Sequence, residues 1–83
     1  MKKIYVGNLP WSIGDVELEE LFAPLGSIHS AKVITDRDTG RSRGFGFVEM
    51  DDEAGDKAIA ELNGKDMEGR QLRINEANER RRR

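Results

Sequence analysis

The sequence predicts an α+β domain in which two helices cover one face of a four-stranded antiparallel sheet. Two segments repeat apolar residues at helical spacing, and four others have the β-prone or alternating composition of short strands. Turn-forming residues separate the six segments, which follow one another in the order β-α-β-β-α-β. A chain of 83 residues is long enough for one such domain and too short for two.

The first strand and the first helix are predicted within residues 4–25. Residues 4–7 are β-prone, and the turn-forming Asn8 and Pro10 follow them. Ser12 is the predicted N-cap of the helix, because the acidic residues that come after it suit a helix start. The apolar stripe of this helix recurs at positions i, i+3, i+4 and i+7, which are Leu18, Leu21, Phe22 and Leu25.

The second and third strands are predicted at residues 28–35 and 43–50, with a polar, basic loop between them. Alternation in the second strand places Ala31 and Val33 on one side and Lys32 on the other. The two strands should therefore present one apolar face to the helices.

The second helix should begin near Asp51 and end at Asn63 and Gly64, which together form a good C-terminal stop. Residues 71–76 then alternate as a fourth strand, with Leu72 and Ile74 facing inward. The second helix has fewer and smaller apolar positions than the first, namely Ala58, Ile59 and Leu62.

Each helix has one apolar stripe, so both helices should pack on the same face of the sheet and leave the other face open to water. This arrangement is the split βαβ or ferredoxin-like plan. We expect the domain to span residues 1–78 and a basic C-terminal tail to occupy residues 79–83. The open face of the sheet is where we expect the functional site.

Composition excludes several kinds of site. Because the chain has no cysteine, neither a disulfide scaffold nor a thiolate zinc site can form, and we predict no other metal and no cofactor. No nucleophile, base and orienting group can be proposed together, so we expect a binding protein and not an enzyme. The sequence has no apolar run typical of a signal peptide or a membrane span, which predicts a cytoplasmic protein without a membrane partner.

The net charge of −2, from 14 basic and 16 acidic residues, is not typical of a nucleic-acid-binding domain. The two signs are segregated along the chain, however. Acidic residues crowd segments 15–20 and 51–56, whereas basic residues crowd segments 37–43 and 80–83. If the acidic segments share one side of the fold, the total charge conceals a basic face.

Alternation in the third strand places aromatic side chains on the open face. If Val48 and Met50 face the helices, then Phe45 and Phe47 face water, and the same argument places Tyr5 of the first strand outward. A monomeric protein rarely keeps such an aromatic patch exposed unless the patch has a use. We expect glycines at positions 44 and 46 to leave room for a helix beneath the strand.

Two motifs on these strands resemble those of the RNA-recognition motif family. Residues 4–9, Ile-Tyr-Val-Gly-Asn-Leu, resemble its ribonucleoprotein hexamer, and residues 43–50, Arg-Gly-Phe-Gly-Phe-Val-Glu-Met, resemble its octamer. The resemblance extends over the whole chain except the tail, and the compactness is similar to that of small single-domain bacterial RNA-binding proteins. Met50 replaces the last aromatic residue of the octamer, but it should point into the core, so binding should survive.

The resemblance implies that the open face binds single-stranded RNA. Tyr5 and Phe47 would each stack one base, Phe45 would pack on a sugar or a base edge, and Arg43 would pair with a phosphate. Single-stranded DNA is a second candidate ligand, because stacking does not depend on the 2′-hydroxyl group. We expect a monomer that acts in RNA processing, stability or translation control. The remaining binding residues that the resemblance implies are Lys32, Arg73, Asn75, Ala77 and Asn78.

Two other functions are alternatives. The third strand also resembles the nucleic-acid strand of cold-shock barrels. In those barrels, however, helices are absent and this strand precedes its aromatic partner strand, whereas here the hexamer comes first. A peptide-binding relative of the RNA-recognition motif is the other alternative, but such proteins usually lose or cover the strand aromatics.

The remaining candidate residues are Trp11, His29 and the arginines at positions 80–83. We expect Trp11 to pack at the start of the first helix, with base contact as the lesser alternative. His29 is interpreted as a loop residue. The arginines at positions 80–83 could equally extend the RNA contact or only improve solubility.

Overall fold

The computed structural model describes residues 1–77, so Asn78 and the predicted tail at 79–83 lie outside the described residues. A 3-10 turn at Ala23–Leu25 extends the first helix. The helices and strands are β1 Lys2–Gly7, α1 Asp15–Phe22, β2 Ile28–Thr35, β3 Ser42–Met50, α2 Asp52–Leu62, β4 Asp66–Met67, β5 Arg70–Gln71 and β6 Arg73–Glu76.

The main sheet has four antiparallel strands in the order β2-β3-β1-β6. Both motif strands, β1 and β3, therefore lie next to each other at the centre of the sheet. This confirms the predicted ferredoxin-like fold with two helices and a four-stranded antiparallel sheet.

The prediction of a continuous fourth strand at residues 71–76 is wrong in detail. The strand is interrupted at Leu72, whose amide donates to the carbonyl of Lys65 and whose carbonyl accepts from the amide of Gly64. Leu72 thus uses its backbone hydrogen bonds on the segment that follows α2. Only Arg73–Glu76 pairs with β1, whereas Arg70–Gln71 forms a small hairpin with Asp66–Met67.

The hydrophobic core lies between the main sheet and the two helices. The predicted alternation is confirmed, because Ile4, Val6, Val48 and Met50 are completely buried. The helices cover these side chains with the buried residues Leu18, Phe22, Ala58 and Leu62. In the described residues, no helix is both long enough and apolar enough to cross a membrane.

Gly46 allows the close approach that was predicted for it. A Cβ atom at this position would lie 2.5 Å from the carbonyl oxygen of Lys32 and 3.2 Å from a methyl group of Leu18 in α1. The prediction that Gly44 leaves room for a helix is wrong, because a Cβ atom there would meet nothing closer than the carbonyl of Leu9 at 3.7 Å. Glycine suits position 44 for a different reason: the backbone φ there is +87°, a conformation in which a residue with a side chain would be strained.

The start of α1 also differs from the prediction. Gly14 is the N-cap residue, and its amide donates to Oε1 of Glu17 at 2.9 Å. The Ser12 hydroxyl, which was expected to cap the helix, donates instead to the carboxylate of Glu68 at 2.9 Å. Ser12 therefore ties the loop after β1 to the turn of the β4–β5 hairpin.

Replacement of Gly46 by Ala should lower the free energy of unfolding by about 1–3 kcal/mol, because the new methyl group must displace the backbone of β2. Urea denaturation followed by circular dichroism would measure this change. Lys57→Ala, an exposed substitution on α2, is the control and should stay within about 0.5 kcal/mol of the wild type. Equal stabilities of the Gly46 variant and the wild type would contradict the packing argument.

Candidate nucleic-acid interface

Three aromatic rings form a patch on the open face of the sheet. The ring centre of Tyr5 lies 5.9 Å from those of both Phe45 and Phe47, and the two phenylalanine rings are 6.2 Å apart. All three side chains are only partly buried. The register of β1 and β3 causes this arrangement, because it places Tyr5 directly opposite Phe47.

Gly7 has a role that the sequence analysis missed. It faces the open side, opposite Phe45, and the Tyr5 ring lies directly over it. A Cβ atom at Gly7 would be 2.5 Å from Oη of Tyr5 and 2.7 Å from the ring carbon Cε2. The missing side chain thus lets the Tyr5 ring lie flat beside Phe45. The close spacing of a tyrosine and a glycine on the same face of a strand was the signal available in the sequence.

The pairing of the four strands brings several predicted residues into one row. Lys32 of β2 lies opposite Phe47, Phe47 lies opposite Tyr5, and Tyr5 lies opposite Asn75 of β6. Arg73 lies two positions before Asn75 on β6 and pairs with Gly7. Polar and basic side chains therefore flank the aromatic patch on both sides.

Cationic side chains surround the rings. Arg43, Lys32 and Arg73 are exposed, as expected for groups that could pair with phosphates. The Lys3 ammonium group, which was not predicted as a site residue, lies 4.9 Å from the centre of the Phe47 ring. Lys3 lies on the same side of β1 as Tyr5, so the alternation of side chains along this strand could have identified Lys3 as a site residue.

The backbone beyond β6 continues the sheet by one hydrogen bond. The amide of Ala77 donates to the carbonyl of Lys3 at 2.8 Å. A contact from Ala77 to a base would therefore use the carbonyl oxygen of Ala77. Asn78, the next predicted binding residue, lies outside the described residues.

The acidic residues are concentrated on the other side of the domain. Both helices cover the inner face of the sheet, and their outward positions carry Glu19, Glu20, Glu53 and Asp56. Lys2 lies on the helix side of β1 and pairs with Asp56 at 2.8 Å and Glu76 at 3.2 Å. Hydrogen bonds to these two carboxylates raise the pKa of Lys2 above its ordinary value.

Trp11 and His29 do not lie where they were predicted. Trp11 does not pack at the helix start; 67% of it is exposed, and the Arg41 guanidinium lies 5.9 Å from its ring centre. His29 is part of β2 and not of a loop, and its Nε2 lies 2.8 Å from a carboxylate oxygen of Asp51.

The fold and both motif strands are those of one family. Its sequence profile, the RNA recognition motif, matches residues 4–73. The chain belongs to the RNA recognition motif family.

Curated relatives are similar over nearly the whole chain. The 31 kDa ribonucleoprotein, chloroplastic, of Nicotiana sylvestris is 55% identical over 98% of this chain and 26% of its own length. The glycine-rich RNA-binding protein 2, mitochondrial, of Arabidopsis thaliana is 51% identical over 94% of this chain and 50% of its own length. The chain thus spans about a quarter and a half, respectively, of these two relatives.

Solved structures are similar at the level of the fold and of the sequence. The crystal structure of RNA binding protein PG1 superposes with a TM-score of 0.91 and 48% identity, covering 99% of this chain and 100% of that protein. The SXL-lethal protein/RNA complex gives a TM-score of 0.88 and 31% identity, covering 93% of this chain and 47% of that one.

The prediction of a cytoplasmic protein is wrong. Relatives from Nicotiana sylvestris and Spinacia oleracea are chloroplastic ribonucleoproteins, and a relative from Arabidopsis thaliana is a chloroplastic RNA-binding protein. The prediction relied on the lack of an apolar signal peptide. Chloroplast transit segments are amphipathic and rich in Arg and Ser, so an apolar run is not the feature that would reveal them.

Replacement of Gly7 by Ala should displace the Tyr5 ring while leaving the strand intact, because the new methyl group meets only the end of that side chain. Nuclear Overhauser contacts between the rings of Tyr5 and Phe45 would report the change and should weaken or disappear. Lys57→Ala is the control on the helix side. Unchanged ring contacts in the Gly7 variant would show that Gly7 does not position Tyr5.

Proposed function

We propose that this chain binds single-stranded RNA on the open face of its sheet. The observation that carries the proposal is the aromatic patch, in which three partly exposed rings lie about 6 Å from one another. Each ring that stacks a base contributes about 1–3 kcal/mol. Membership of the RNA recognition motif family and the similarity to a protein/RNA complex support the proposal.

We propose roles for the predicted site residues from the arrangement of their side chains. Tyr5 and Phe47 lie side by side across the two central strands, so two successive bases can stack on them. Phe45 extends the apolar surface towards Gly7, where it suits a sugar or a base edge. The groups proposed to contact phosphates or base edges are Lys32, Arg43, Arg73, Asn75, Ala77 and Asn78.

The wider predictions follow from the same site. Two or three stacked bases provide roughly 2–9 kcal/mol before the cost of ordering the strand, so we expect low-micromolar affinity. Single-stranded DNA should bind as well, because base stacking does not require the 2′-hydroxyl. We propose that the protein acts as a monomer and takes part in RNA processing, stability or translation control.

The double variant Phe45→Ala, Phe47→Ala should bind RNA at least about 30-fold more weakly than the wild type, because two ring contacts are lost. Fluorescence anisotropy with labelled random single-stranded RNA hexamers would measure the affinity. Circular dichroism should show that the variant remains folded, since both rings lie outside the core.

Val16→Ala is a matched control for this experiment. Val16 is 63% exposed but lies on α1, on the other side of the domain, so its loss should leave RNA affinity unchanged. A double variant that is folded and binds as tightly as the wild type would exclude the aromatic patch as the RNA platform. Retained binding of a peptide would then favour a protein-interaction module.

The salt dependence of binding should report the phosphate contacts. With three contacts, from Lys32, Arg43 and Arg73, the logarithm of the binding constant should fall with a slope of about −2 against the logarithm of salt concentration. Replacement of Arg43 by Ala should make this slope shallower by about 0.7.

Lys57→Ala removes the same charge from the helix side and should leave the slope unchanged. If both variants changed the slope equally, the cations would act through the total charge of the domain, and direct pairing of Arg43 with a phosphate would be wrong.

A further inference from the structure

A shallow depression lies on the open face beside the ring of Phe47, towards the edge strand β2. Its volume is about 290 Å³. A base stacked on Phe47 would extend over it, so the groups around the depression would meet the edge of that base. The depression is lined by Lys3, Ser30, Lys32, Ile34, Phe47 and Glu49.

Glu49 is the unexpected group in this lining, because a carboxylate on an RNA-binding face repels phosphates. It is only partly exposed, and Oε1 accepts a hydrogen bond from the Ser30 hydroxyl at 3.0 Å. An ionised carboxylate has about four acceptor positions. The bond from Ser30 therefore orients the group and occupies only one of these positions.

Two lysines also line the depression, and one of them, Lys3, lies directly across from Glu49 on β1. Lys32 is exposed and lies directly across from Phe47, and the Lys3 ammonium group lies 4.9 Å from the centre of the same ring. A base above Phe47 thus has hydrogen-bond acceptors near one part of its edge and a hydrogen-bond donor near another.

We infer that this depression selects guanine as the base stacked on Phe47. Guanine carries two adjacent donors, N1–H and the N2 amine, that match the two oxygens of the Glu49 carboxylate. It also carries two adjacent acceptors, O6 and N7, that suit the Lys32 ammonium group. The inference rests on the proposed RNA-binding function and names the base that this part of the face prefers.

The other bases fit less well. Adenine and cytosine each offer one amine to the carboxylate, next to a ring nitrogen that is an acceptor and faces the same negative charge. Uracil offers one N–H group between two carbonyl oxygens, so at least one carbonyl is brought near Glu49. The expected order of affinity is therefore guanine first, adenine and cytosine next, and uracil last.

The test uses fluorescence anisotropy with labelled cytosine hexamers in which one guanine is moved through the six positions. At the preferred position, guanine is then replaced by inosine, which lacks the N2 amine, and by uracil. The wild-type protein should bind the guanine hexamer roughly tenfold or more tightly than the uracil hexamer, with inosine between them.

Glu49→Gln should reduce this preference to no more than about threefold, because its amide has one oxygen where the carboxylate has two. It should also bind the uracil hexamer more tightly than the wild type does, since the negative charge is gone. Glu20→Gln removes the same charge from the helix side and should change neither result.

Two outcomes would overturn the inference while leaving RNA binding intact. One is a wild-type protein that binds guanine and uracil hexamers equally well, and the other is a Glu49 variant that keeps the full preference for guanine. If the wild-type protein bound none of the hexamers, the proposed function itself would fail, and the inference with it.

Discussion

Burial of the inner face of β1 and β3 is the constraint on which the rest of the structure depends. Ile4, Val6, Val48 and Met50 are completely buried beneath the helices. Since successive side chains of a strand point to opposite faces, this burial forces Tyr5, Phe45 and Phe47 outward. A slip of one residue would expose the aliphatic side chains and bury the rings, so the core selects the register that assembles the aromatic patch. The contacts among the three rings, worth about 0.5–1.5 kcal/mol each, offset part of the cost of leaving them partly exposed.

The sequence was sufficient to predict the fold and the faces of the central strands, because both depend on local periodicity. It was not sufficient where a distant residue decides the outcome. Ser12 has the local features of an N-cap, yet its hydroxyl bonds Glu68, which lies 56 residues further along the chain. The break at Leu72 depends on hydrogen bonds to the segment after α2, and alternation alone cannot reveal them. At the site, the aromatic positions followed from alternation, but the packing of Tyr5 over Gly7 depends on a ring orientation that the pattern does not contain.

The net charge of −2 is compatible with an RNA-binding face because the acidic residues of the helices are distant from it. The domain measures 20 Å along its shortest axis. The Debye length is about 10 Å at 0.1 M salt, so salt weakens the effect of the outer carboxylates of α1 and α2 on a phosphate at the open face. Their effect should be mainly on the orientation of approach, since they repel RNA that arrives at the helix side.

Glu49 is not screened in this way, since it lies on the open face beside Phe47 and Lys32. A carboxylate at such a position weakens every contact that brings a phosphate or a carbonyl oxygen towards it, whatever the base sequence. It strengthens binding only for a base that presents hydrogen-bond donors at the same place. Stacking on the rings is nearly independent of base identity, so affinity and selectivity come from different groups on the same surface. In the proposed mode of binding, the aromatic rings provide affinity for any single strand, and Glu49 lowers that affinity for all but the matching base.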